Sequence, residues 1–138
     1  TGKKAITVET VEKHAGDQGG APAWLDGSLQ IIEAFRFPPH FDQDQIPVFN
    51  TNTFVLNAEI LQQARPLDWF AVSKSVKGQT VIQYEQLLGQ LTAFVPSQYI
   101  RVDREGPQSR FIPVKTPQEL EHQRNRILET LLTRGIDC

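Results

Sequence analysis

One stretch limits the folds open to this chain more than any other: Pro47-Val48-Phe49-Asn50-Thr51-Asn52-Thr53-Phe54-Val55. The β-branched and aromatic residues at both ends call for a strand. Two asparagines interrupt it. In extended backbone their spacing of two places both amides on one face, and each amide carries two donors and an acceptor. Such a pair can hold a hydroxylated ligand without using charge. The same residues also suit a turn, because Asn tolerates positive φ. Spacing alone leaves both readings open.

Around this stretch the sequence alternates short strand patterns with turns and helical segments, which predicts an α/β fold: a mixed sheet with flanking helices and a long closing helix. Ala5–Glu12 reads as a strand, suited to a sheet edge by its Lys and Glu. Gly16–Pro22 is a loop in which Gly19 and Gly20 let main-chain N–H groups come close to a ligand; a plain turn is the alternative. Trp24-Leu25, the turn dipeptide Asp26-Gly27 and Leu29–Ala34 form a hairpin pattern. Glu33 ends that apolar strand, where a carboxylate needs a partner. Arg36 could supply a salt bridge, or a pair of sugar hydroxyls could donate to it.

Further along, His40 sits in a Pro-rich loop with no His or Cys at metal spacing and reads as a loop residue. Asn57 caps a short helix over Ala58–Ala64. Trp69–Val76 and Thr80–Gln83 read as strands around a Lys77-Gly78 turn, and Tyr84–Phe94 as an amphipathic helix. Tyr99–Val102 reads as a strand, and Arg104–Pro107 as an exposed turn. Arg110 and Lys115 bracket the apolar run Phe111-Ile112-Pro113-Val114. Thr116-Pro117-Gln118-Glu119 then opens a helix with a capping box and proline in its first turn. Leu120, Ile127, Leu128, Leu131 and Leu132 fall on one face of it, and Gly135 ends it.

The 138 residues suit one domain or part of a larger one, and 39% hydrophobic against 22% charged residues provide a core. A net charge of −2 gives no field for nucleic acid. The single Cys138 allows no disulfide framework and fits a reducing, cytoplasmic setting. No apolar run is long enough to span a membrane. The chain has no Met and opens on Thr1-Gly2-Lys3-Lys4, as a piece of a longer protein would.

Phe49-Asn50-Thr51-Asn52, placed after Gly19-Gly20 and Glu33 and before Arg110-Phe111-Ile112-Pro113-Val114-Lys115, resembles the UTP–glucose-1-phosphate uridylyltransferases, or UDP-glucose pyrophosphorylases. The resemblance runs from about Val8 to Leu120. It implies the later portion of a Rossmann-like nucleotidyltransferase catalytic domain over residues 1–138, with the Gly-rich nucleotide-binding portion missing. It also implies that Gly19 and Gly20 lie against the sugar nucleotide, that Glu33, Phe49, Asn50 and Asn52 serve the sugar side, and that Lys115 contacts phosphates as the catalytic cation. Gln18 stands where members often carry Lys. The Gln83–Glu85 segment packs behind the active site in the family, so Gln83 and Glu85 are expected to be structural.

The implied reaction transfers UMP from UTP to glucose 1-phosphate, giving UDP-glucose and pyrophosphate. Mg2+ is the implied cofactor, with no ligand set identified and Asp17 as the one candidate. Two alternatives stand beside this reading. One is a related UDP-N-acetylhexosamine pyrophosphorylase, against which Thr51-Asn52-Thr53 speaks. The other is a non-catalytic sugar-nucleotide binding or assembly module. The implied partners are UTP, glucose 1-phosphate, UDP-glucose and the remaining portion of the same enzyme, and the oligomeric state is left open. Without the nucleotide loop, the chain alone is expected to be inactive.

Overall fold

The computed structural model describes residues 4–17, 19–62 and 66–136. The expectations for Gln18, Ala64 and Cys138 lie outside the described residues. The centre of the fold is β1 (Ile6–Glu12), whose Ile6, Val8 and Val11 are almost fully buried. The next elements are β2 (Ala21–Leu25), β3 (Ser28–Ile32) and β4 (Val48–Leu56), then α1 (Glu59–Gln62), β5 (Trp69–Val76), β6 (Gln79–Gln86), β7 (Ser97–Arg101) and α2 (Pro117–Thr133). Strands β4, β1 and β7 form a mixed sheet in that order, with β1 antiparallel to β4 and parallel to β7. The pairs β2–β3 and β5–β6 are separate antiparallel hairpins. The mixed sheet and flanking helices are the expected α/β class.

The strand Ala5–Glu12 is not an edge. Its polar residues are satisfied inside the structure: Glu9 is buried and paired with Arg110 at 2.5 Å, and Thr10 donates to the Ile100 carbonyl at 3.1 Å. Both hairpins turn as their dipeptides demand. Asp26 and Gly27 have φ of 51° and 77°, and Lys77 and Gly78 have 51° and 78°. Successive positive φ values match the twist of paired strands.

The expected helix over Tyr84–Phe94 does not form. Pairing with β5 carries β6 through Tyr84 to Gln86, opposite Trp69, and a 3-10 segment, Leu88–Ala93, follows. Tertiary contacts decide this. A Cβ on Gly89 would lie 2.8 Å from the Ile31 Cγ2, so this backbone lies directly on β3. Thr92 Oγ1 accepts from the Ile31 N–H at 2.9 Å and donates to the Gly89 carbonyl at 2.6 Å. Glycine also disfavours the helical alternative. Helix α2 forms as expected. Thr116 Oγ1 accepts from the Glu119 N–H, Glu119 returns to the Thr116 N–H, and Gly135 has φ 70°. Its apolar face is only partly covered, since Leu120 and Leu132 are exposed.

Candidate functional site

Strand β4 supplies the first wall. Opposite Glu9 the pairing with β1 slips, and Asn50 and Phe54 flank the irregularity. Asn52 sits within it at φ 62°, a left-handed conformation that Asn adopts more readily than most residues. The two readings of Asn50–Asn52 therefore combine: the segment is strand, and it turns at Asn52. Asn50 Nδ2 donates to Asn52 Oδ1 at 3.0 Å, and the Asn52 N–H donates to Asn50 Oδ1 at 3.0 Å. Asn50 is buried and Asn52 is exposed, so the inner amide fixes the outer one.

The glycine loop forms the second wall. The Asn50 N–H donates to the Gly20 carbonyl at 2.7 Å, which ties the loop to β4. A Cβ on Gly20 would stand 2.7 Å from Glu33 Oε1, and one on Gly19 would stand 3.2 Å from Phe49 Cδ2. Only glycine lets Glu33 and Phe49 come this near the loop without displacement. Burial pushes the Glu33 carboxyl above its usual range; the Glu85 charge adds to this, while Arg36 and a Gly20 N–H hydrogen bond oppose it. The guanidinium of Arg36 lies over the Phe70 ring, 5.1 Å from its centroid, and acts on Glu33 through charge.

Glu33 and Asn52 face a common hollow of about 450 Å3, completed by Phe54, Glu85, Gln86, Leu87 and Leu88. Its size suits a small ligand. The polar side chains are two carboxylates, Glu33 and Glu85, and two amides, Asn52 and Gln86, beside Phe54, Leu87 and Leu88. This is the chemistry of a hydroxyl-binding site, because carboxylates accept and amides both donate and accept. Contacts thus join Gly19, Gly20, Glu33, Phe49, Asn50 and Asn52 into one neighbourhood.

Lys115 lies elsewhere. It is exposed, just before α2, and is not among the residues lining the hollow. Its N–H donates to Glu119 Oε2 at 2.6 Å. The other bracketing cation, Arg110, is committed to Glu9. The apolar run between them reaches β4 through Phe111, whose ring meets Phe49 edge-on at 5.3 Å.

Two features were not foreseen. The turn residue Arg104 is largely covered. It pairs with Asp17 at 2.5 Å, and its guanidinium lies 5.4 Å from the Phe49 ring centroid and 5.7 Å from that of Phe111. Hydrogen bonds from Arg104 hold the Asp17 carboxyl below its ordinary value, helped by the His14 N–H. The Asp17 oxygens are thus engaged by Arg104 and the His14 N–H, and among the described residues no three His, Cys, Asp or Glu side chains gather as a metal site. The second feature is Glu85, which was expected to be structural and instead lines the hollow. The Lys77-Gly78 turn fixes the β5–β6 register, and continuing that register to Gln86 would have placed Glu85 in a strand.

The sequence model of the UTP–glucose-1-phosphate uridylyltransferase family matches residues 2–131. The chain belongs to that family. It is 27% identical over 131 residues to a UTP–glucose-1-phosphate uridylyltransferase of Encephalitozoon cuniculi (strain GB-M1), covering 87% of this chain and 26% of that protein. The chain thus spans about a quarter of the length of this curated relative. Among solved structures it is similar to the uridine diphosphate N-acetylglucosamine pyrophosphorylase of Trypanosoma brucei, solved in complex with an inhibitor. The TM-score is 0.57 at 20% identity, over 96% of this chain and 32% of the other. That likeness is one of fold.

Proposed function

We propose that this chain is the sugar- and phosphate-contacting portion of an enzyme that makes UDP-glucose. A phosphate oxygen of glucose 1-phosphate attacks the α-phosphorus of UTP, a new P–O bond forms, and the bond to the β-phosphate breaks as pyrophosphate leaves. The observation that carries this reading is the hollow lined by both Glu33 and Asn52, with Asn50 behind Asn52 and Gly20 against Glu33. Hydroxyls of the sugar would donate to Glu33, and the Asn52 amide would hold its orientation. Alignment of the two reactants is the main requirement of such a transfer. Lys115, exposed just before a helix N-terminus, would meet the phosphates as charge develops. Mg2+ is expected from the family, with its ligands supplied outside these residues. A cytoplasmic setting suits the substrates; no helix among the described residues is long and apolar enough to cross a membrane.

A related N-acetylhexosamine enzyme is the second reading, favoured by the fold likeness alone. Steady-state turnover of the enzyme at its natural length with glucose 1-phosphate and N-acetylglucosamine 1-phosphate tests the choice. Faster turnover with glucose 1-phosphate is expected, and a preference for the N-acetylated sugar would reverse the assignment. The 138-residue chain by itself is expected to release no pyrophosphate from UTP and glucose 1-phosphate. Turnover by the purified chain would show that it carries a complete site.

A further inference from the structure

The hollow holds one charged group that the proposed reaction has not used. Glu85 comes from β6, on a different element from Glu33 and Asn52, and lines the same space. Its carboxylate pairs with Lys74 of β5 at 2.5 Å, and the side chains are 44% exposed for Lys74 and 25% for Glu85. The ion pair holds Glu85 in place without closing the hollow. Asn50 occupies the carbonyl end of the Asn52 amide, which leaves the NH2 end to meet a ligand. Phe54, Leu87 and Leu88 give the space apolar surface.

A ligand entering here meets two carboxylates on separate elements. Hydroxyls satisfy such acceptors with short, charge-assisted bonds. A third carboxylate does not, because like charges in a partly desolvated space repel and a carboxylate brings no donor to these acceptors. The proton affinity of Glu33 is raised first by burial and then by the Glu85 charge, with Arg36 and the Gly20 N–H opposing.

We propose that Glu85 is a specificity-determining residue of the hollow, acting with Glu33 to accept hydroxyls of a neutral hexose and to reject sugars that carry a carboxylate. This rests on the sugar-pocket reading above. The test is calorimetric titration of the enzyme at its natural length with UDP-glucose and UDP-glucuronate. The parent should favour UDP-glucose. Glu85→Gln should weaken UDP-glucose and strengthen UDP-glucuronate, narrowing the preference about tenfold, as expected for loss of one charged hydrogen-bond acceptor. Lys74→Gln removes the ion pair but keeps the carboxylate, and should leave the preference intact.

Unchanged preference in Glu85→Gln, with Glu33→Gln still weakening UDP-glucose, would overturn the role of Glu85 and leave the pocket standing. Unchanged affinities in both variants would remove the pocket reading and the proposal together. Equal narrowing in Lys74→Gln would return the effect to the ion pair and overturn the proposal. If Glu85→Gln fails to fold, Glu85→Asp serves. It keeps the charge and withdraws it, so UDP-glucose should weaken while UDP-glucuronate stays rejected; an unaltered UDP-glucose affinity would overturn the assignment.

Discussion

Asn52 and Lys115 are held in opposite ways. Asn52 has its backbone fixed at φ 62° within the central sheet and its amide fixed by Asn50. Lys115 has a fixed N–H and an exposed side chain at the mouth of α2. A group that must read hydroxyl positions gains from being ordered before the ligand arrives. A group that follows moving charge gains from reach and from a compact cation. The two regions are joined through one cluster, Phe49, Phe111 and Arg104, with Asp17 as its anion. An ordered amide and an exposed cation thus sit on one scaffold.

The largest effect is expected at Lys115. Lys115→Ala in the enzyme at its natural length should lower kcat by roughly two to three orders of magnitude, by analogy with the loss of one oxyanion donor. Sugar-nucleotide affinity should change far less, because the charge acts mainly in the transition state. Lys115→Arg should rescue poorly. Steady-state kinetics and product binding on the same variants check this. If affinity collapses together with kcat, Lys115 is as built-in as Asn52 and the contrast breaks. Unchanged turnover would make it an ordinary solvated lysine.

At the fixed end the expected effect is smaller and of another kind. Asn52→Ala places a Cβ residue without the polar side chain at positive φ, a cost of about 1–2 kcal/mol, and removes the side-chain bond from Asn50 while its backbone N–H can still donate to Asn50 Oδ1. Asn52→Gly keeps the backbone freedom and loses the amide. Denaturant unfolding should therefore rank parent, Gly and Ala in falling stability, while both variants lose UDP-glucose affinity alike. If Gly binds as the parent does, the bulge and not the amide is the useful feature of β4.

These distinctions were legible in the sequence where they are local. Asp26-Gly27, Lys77-Gly78 and the Thr116–Glu119 box each write their conformation within four residues, and the structure follows them. The convergence of Glu33, Asn50 and Asn52 was also visible, as polar residues placed on apolar strands, and the family resemblance added Gly20. What the sequence hid depends on partners distant in the chain. The central place of β1 requires β7 to return parallel to it some ninety residues later. The helical pattern of Tyr84–Phe94 lost to pairing with β5 and to the close approach of Gly89 to Ile31. Arg104 reads as an exposed turn residue until Asp17 and two aromatic rings are brought to it.

The smallest expected effect separates the two regions by pH. Glu33 belongs to the hollow and Asp17 to the cluster that reaches toward Lys115, and their carboxyls shift in opposite directions. Glu33 has a folded pKa raised above 4.5, chiefly by burial, so its ionisation works against the fold once pH exceeds the unfolded value. Glu33→Gln should then be more stable than the parent at pH 7, by less than about 1 kcal/mol for a half-buried group. That advantage should fade as pH falls through the folded value towards 4.5, where the parent is protonated when folded. Asp17 has a folded pKa held below 3.8 by Arg104, so its contribution is present above 3.8 and lost as pH falls through the folded value. Asp17→Asn should be less stable at pH 7 by about 1 kcal/mol, the upper end for a partly exposed pair, with the deficit closing only below 3.8. Thermal melts of the parent and both variants across this range give two difference curves of opposite sign. Curves of the same sign would mean that one of the two carboxyls is not where its partners place it: Glu33 out in solvent, or Asp17 released from Arg104.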